Sequence, residues 1–203
     1  MALDCLILEK DGGIGLAKRC DTEILIIVDS REVDLSYVKP LVESEPTKDG
    51  IEFVGYRIEA VKPKGSKYST GDLTILYRKK GTEEWLETNL AIELKKGLDV
   101  FSSIYTKENR DNLYLEIDRA SAYGLDFYFL ATYHFTDVSK KINNLPLLKG
   151  KHAESVYFKE LIKLNKKLTQ EGFDAIITTG DDLAFCIKRI IKKHIADKKL
   201  NYF

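Results

Sequence analysis

The sequence predicts an α/β fold, a central mixed β-sheet flanked by helices on both faces. Three observations predict it. Stretches 23–28 (EILIIV), 90–94 (LAIEL) and 127–133 (FYFLATY) are apolar and rich in aliphatic or aromatic residues, as buried strands are. Helix-length segments follow, with apolar residues recurring on one face. Strands come first and then alternate with helices, which places helices against a sheet of mixed direction.

Each element has a local reason. Residues 1–20 read as a hairpin, two short apolar stretches around Lys10-Asp11-Gly12-Gly13. The strand 23–28 stops at Asp29. A helix is expected from about Asp34, with Leu35, Val38 and Leu41 on one face, ending before Pro46. Residues 51–61 alternate as a strand, and 62–71 (KPKGSKYSTG) form a polar loop. Leu73–Arg78 is the next strand, Lys79-Lys80-Gly81 a turn, and Leu90–Leu94 a further strand. A short helix starts near Asp99 and a longer one spans about Arg110 to Tyr123, with Gly124 as its stop. Residues 151–171 form a Lys-bearing helix and Phe173–Thr178 a last strand. Residues 181–199 close the chain as a helix with Leu183, Ile187, Ile190, Ile191 and His194 on one face. Its acids, Asp181 and Asp182, lie at the start and its lysines near the end, in accord with the helix dipole.

Composition narrows the function classes. With 44% apolar and 32% charged residues over 203 positions, the chain reads as globular and not disordered. No linker is evident, so residues 1–203 read as one domain. No apolar run approaches the roughly 20 residues of a membrane span, and the start lacks a basic leader region. Three cysteines, Cys5, Cys20 and Cys186, show no C-x-x-C spacing. A disulfide framework and a zinc site are therefore not expected, and an intracellular location is. His134, His152 and His194 lack metal-ligand spacing and read as structural. The glycines of DGGIG lack the Lys-Ser or Lys-Thr of a phosphate loop. The 32 basic and 32 acidic side chains balance overall, yet residues 1–135 carry 18 basic and 24 acidic groups and residues 136–203 carry 14 and 8. A basic flank beside an acidic site suits a phosphate-handling protein, and solvated helix faces explain it equally well.

One constellation can carry chemistry. Asp72 follows Gly71 at a strand start. Glu93 and Lys95 are two residues apart in a strand and so share a face, with Leu94 turned the other way. Two carboxylates hold a hard divalent cation that keeps several waters. Such a metal stabilises phosphate charge and acidifies a bound water, and a lysine positions that water. Asp29-Ser30-Arg31-Glu32 adds charge at another strand end, where open α/β sheets build sites.

The ordered motifs VDSRE at 28–32, Gly71-Asp72, Glu93-Leu94-Lys95, Asp99 and Ser103-Ile104 resemble the nuclease domain of the XPF, Mus and Hef endonucleases. That family lies within the PD-(D/E)XK superfamily, and the resemblance implies a restriction-endonuclease-like core. It implies Asp72 and Glu93 as metal ligands and Lys95 as the catalytic lysine. It adds Asp29 and Glu32 as acidic positions near the metal, and Asp99 and Arg110 at the edge of the site. The backbone carbonyl of Leu94 is a further candidate ligand. The expected activity is DNA endonuclease cleavage with Mg2+ or Mn2+, on branched or structured DNA, with a homodimer or partner subunit as the expected assembly. Leu94 stands where the family has Arg, the family's glutamine is replaced by the neighbourhood of Tyr114 and Glu116, and no helix-hairpin-helix module follows. These departures leave two alternatives, a non-catalytic DNA-binding or scaffold subunit, and another PD-(D/E)XK nuclease of restriction-like or junction-resolving type.

Overall fold

A computed structural model describes residues 6–8, 14–16, 22–32, 34–96, 98–132, 153–178 and 182–198. Cys5, Cys20, His134, His152, Asp181 and the expected loop 143–151 lie outside them. In chain order the strands are β1 (Leu6–Leu8), β2 (Ile14–Leu16), β3 (Thr22–Val28), β4 (Ile51–Ile58), β5 (Leu73–Lys79), β6 (Leu86–Glu87), β7 (Leu90–Lys96), β8 (Asp126–Thr132) and β9 (Asp174–Thr178). The helices are α1 (Val38–Val42), α2 (Leu98–Tyr105), α3 (Lys107–Ala122), α4 (Ala153–Gln170) and α5 (Leu183–Asp197). Strands β1 and β2 pair antiparallel on their own.

The main sheet has seven strands in the order β4-β3-β5-β7-β8-β9, with β6 beside β5. It is mixed: β3 runs parallel to β4 and antiparallel to β5, and β7, β8 and β9 are mutually parallel. Strand alternation sorts the core into two layers. Ile24, Ile26 and Val28 of β3, Leu90, Ile92 and Leu94 of β7, and Tyr128 and Leu130 of β8 pack with α1 and α5. Ala91 of β7 and Phe127, Phe129 and Ala131 of β8 face the other way, onto α2, α3 and α4. The α/β expectation therefore holds, with helices on both faces.

Two helix starts differ by three residues or more from the sequence reading, for physical reasons. The helix expected from Asp34 begins only at Val38. Before it, Glu32 accepts from the Asp34 N–H and Asp34 from the Ser36 N–H, both at 2.9 Å, which holds a turn where the helix was expected. The helix expected from Arg110 starts earlier, at Lys107, because the Thr106 hydroxyl accepts from the Asn109 N–H and caps it. Its predicted stop holds: Gly124 has φ +62°, and the Leu125 N–H donates back to the Ala120 carbonyl at 2.9 Å.

Candidate active site

Backbone pairing assembles the site at one end of the sheet. The Asp29 N–H donates to the Asp72 carbonyl, and the Asp72 N–H donates to the Ile92 carbonyl, each at 2.8 Å. These two bonds draw together the end of β3, the start of β5 and the middle of β7. Gly71 makes the approach possible. Its φ is +80°, and a Cβ there would sit 3.0 Å from the Ile92 carbonyl oxygen, so any side chain strains the junction.

A cleft of about 890 Å³ opens at this junction. Asp72, Glu93, Leu94, Lys95, Glu32 and Asp99 all line it. Leu94 turns its side chain into the opposite core layer, which leaves its backbone on the cleft side. Glu93 is only 4% exposed and is ion-paired to Lys95. Asp72 accepts the Leu94 N–H at 2.8 Å. Asp99 is exposed in the first turn of α2.

The electrostatics of this group are strained. Burial pushes the Glu93 carboxyl well above its usual range, and Glu116 and Asp72 push it further, against Lys95. Asp72 is raised by burial as well, with Lys95 and the Leu94 N–H opposing and Glu116 and Glu32 adding repulsion. Burial disfavours charge on Lys95, yet Glu93, Asp72 and Glu116 together raise its pKa, so it stays an ammonium. Acid outnumbers base here, and a cation placed between the carboxylates would relieve the repulsion.

Two residues singled out from the sequence sit elsewhere. Asp29 is 1% exposed, and its oxygens are engaged: Arg31 Nε donates at 2.7 Å, the Arg31 N–H at 2.9 Å and the Ser69 hydroxyl at 2.8 Å. Burial works against its charge, but these donors hold its carboxyl well below the usual range. It does not line the cleft, so its geometry makes it the anchor of Arg31 and Ser69. Arg110 donates to Glu160 of α4 at 3.2 Å and does not line the cleft either.

Other residues reach the cleft that the sequence reading did not assign to it. Glu116 accepts the Gly71 N–H at 2.7 Å, bracing the turn that presents Asp72. Asn109, Asn112, Glu116 and Arg119 form a polar stripe along α3 beside the buried Leu113, Ile117 and Ala120. Their spacing of three and four residues was the available signal. Arg31 also lines the wall, 74% exposed.

No protein-family profile matches the chain, and no curated protein matches it. Among solved structures it is similar to XPF from Aeropyrum pernix, at 13% identity and a TM-score of 0.46, over 86% of this chain and 68% of that one. Among the described residues no helix is long and apolar enough to cross a membrane.

Proposed function

We infer that the cleft hydrolyses phosphodiester bonds of DNA with the help of Mg2+ or Mn2+, and that branched or structured DNA is its substrate. The observation that carries this reading is the meeting of Asp72 with Glu93 and Lys95 in one cleft, a half-buried and a buried carboxylate of raised pKa beside the Lys95 ammonium. The motif order resembling the XPF, Mus and Hef nuclease domain supports the choice of substrate.

The donor set suits a hard, hydrated cation. Among the described residues no group of three or more His, Cys, Asp or Glu side chains is gathered to hold a metal. Zinc, which favours a closed set of protein ligands, is disfavoured by that, whereas Mg2+ is commonly held by one or two carboxylates and its own waters. Asp72 and Glu93 would hold it, with the Leu94 carbonyl as a third protein oxygen. Such a cation supplies neutralisation of phosphate charge and acidification of a bound water.

The chain's own groups do the rest. Lys95 Nζ lies against Glu93, which supports giving it the task of orienting a water and offsetting charge developing on the phosphate. Glu116 holds the Gly71 turn and through it the Asp72 carboxylate. Attack of water on phosphorus breaks the bond to O3′; the water gives a proton to solvent and O3′ takes one up. The products are a 5′-phosphate and a 3′-hydroxyl.

The test is cleavage of labelled linear, flapped, forked and four-way DNA with Mg2+, Mn2+ or EDTA, comparing wild type with Glu93→Ala. Metal-dependent cutting lost in the variant is expected, and the panel ranks substrate shapes. Equal cutting by the variant overturns the assignment. Binding without cutting under any metal would favour the scaffold-subunit alternative.

A further inference from the structure

The loop between β4 and β5 is basic, rigid and tipped with an exposed aromatic ring. Residues 62–71 contain three lysines, Lys62, Lys64 and Lys67, and no acid. All three are exposed, and none is ion-paired among the described residues. Tyr68 at the tip is 57% exposed.

An exposed ring on a mobile loop would carry little weight, but this loop is tied down along its length. The Ser66 hydroxyl donates to the Tyr68 carbonyl at 2.6 Å and accepts the Tyr68 N–H at 3.3 Å. The Ser69 hydroxyl donates to buried Asp29, and the Lys64 N–H donates to the Thr88 carbonyl at 2.6 Å. The loop backbone that carries the ring is therefore held before any ligand arrives.

The ring also has a place relative to the cleft. Arg119, which lines the cleft from α3, puts its guanidinium carbon 5.9 Å from the centre of the Tyr68 ring. Its Nε is buried with no hydrogen-bond partner among the described residues. One arginine thus lies near the ring and also lines the cleft. On the other side of the loop Ser69 lines the same cleft.

We propose that Tyr68, backed by Arg119 and flanked by Lys62, Lys64 and Lys67, is a stacking subsite for one unpaired nucleobase of the DNA bound in the cleft. This rests on the DNA-cleaving reading of that cleft. Within a duplex, bases are already stacked on each other and offer no face to a tyrosine. Tyr68 does not itself line the cleft, but it adjoins Ser69 and Arg119, which do, so an exposed ring beside them favours a substrate with an unstacked nucleotide there. The lysines hold the adjoining phosphates without reading sequence. The acidic centre needs that help, because metal-free it repels a polyanion.

The experiment uses the full chain with Ca2+ replacing the catalytic cation. The probes are a fork carrying 2-aminopurine at successive unpaired positions and a blunt duplex of equal length. Expected is quenching at one unpaired position in wild type and in Glu93→Ala, its loss in Tyr68→Ala and its retention in Tyr68→Phe. Tyr68→Ala should weaken fork binding by roughly 5- to 100-fold, the range base-aromatic stacking supplies, and blunt-duplex binding by far less. Equal weakening on both DNAs, or none on either, overturns the subsite while leaving the cleavage reading intact. Cutting by Glu93→Ala at the wild-type rate overturns the cleavage reading instead. Absence of DNA binding by wild type overturns both.

Discussion

Asp29 and Asp72 sit at adjoining strand ends, joined by a backbone hydrogen bond, yet they are opposite electrostatic cases. Asp29 is buried among donors, and its carboxyl is held far below its usual range. Asp72 is half-buried with Glu116 and Glu32 as well as Lys95 around it, and its carboxyl is raised. At Asp29 the donors overcome burial; at Asp72 burial prevails over Lys95 and the Leu94 N–H, and Glu116 and Glu32 add to it. The satisfied corner stabilises the fold, and the frustrated one is where the proposed cation would sit.

The same isosteric change at both corners tests that contrast most sharply. Asp72→Asn should lower metal-dependent cutting on the order of 10³-fold or more, as loss of a charge-stabilising group does. Asp29→Asn should instead cost about 1–3 kcal/mol of folding stability by weakening the bonds to Arg31, Ser69 and the Val61 N–H. Denaturant titration and cleavage assays below the unfolding transition separate the two. An equal loss of cutting in both folded variants would erase the distinction.

Gly71→Ala comes next. Left-handed backbone costs an L-residue about 1–2 kcal/mol, before the contact with Ile92 is counted. A lower denaturant midpoint and weaker cutting are both expected, since this turn presents Asp72.

Stability against pH should run in opposite senses at the two corners. The raised carboxyls of Glu93 and Asp72 favour the metal-free fold below the usual carboxylate range and cease to do so as pH rises through their raised values. Asp29 contributes above the usual carboxylate pKa, and that contribution is lost as pH falls through its depressed value. Glu93→Gln should therefore raise the metal-free Tm near neutral pH by roughly 2–4 °C, the shift that about 1 kcal/mol produces in a domain of this size. Added Mg2+ should raise the Tm of wild type and not of this variant. A lower Tm in Glu93→Gln would mean that the ion pair with Lys95 outweighs the repulsion.

The smallest effect is expected at Arg110. Its partner Glu160 is already paired to Lys163 at 2.6 Å. Arg110→Ala should cost at most about 1 kcal/mol and leave cutting unchanged. A large loss of cutting would return Arg110 to the site.

Much of this arrangement was legible in the chain. Local signals carry over short distances: the apolar run at Ile24–Val28, the alternation that sends Glu93 and Lys95 one way and Leu94 the other, the glycine stop at Gly124. Less legible were the start of α1, overruled by side chains of Glu32 and Asp34 bonding the backbone, and the polar stripe of α3, whose partner surface is distant in sequence.

The amino-acid sequence by itself determined the α/β class, most of the elements, and the pairing of Glu93 with Lys95 on one strand face, because period and turn chemistry act between near neighbours. Tertiary structure alone decided which carboxylates share a cleft. It turned Asp29 to Arg31 and Arg110 to Glu160, brought Glu116 to the Gly71 turn across 45 residues, and set Tyr68 over Arg119. The physical reason is that strand order and helix packing set the distances between charges, and those distances decide whether an acid is met by donors, as at Asp29, or faces other acids, as at Asp72.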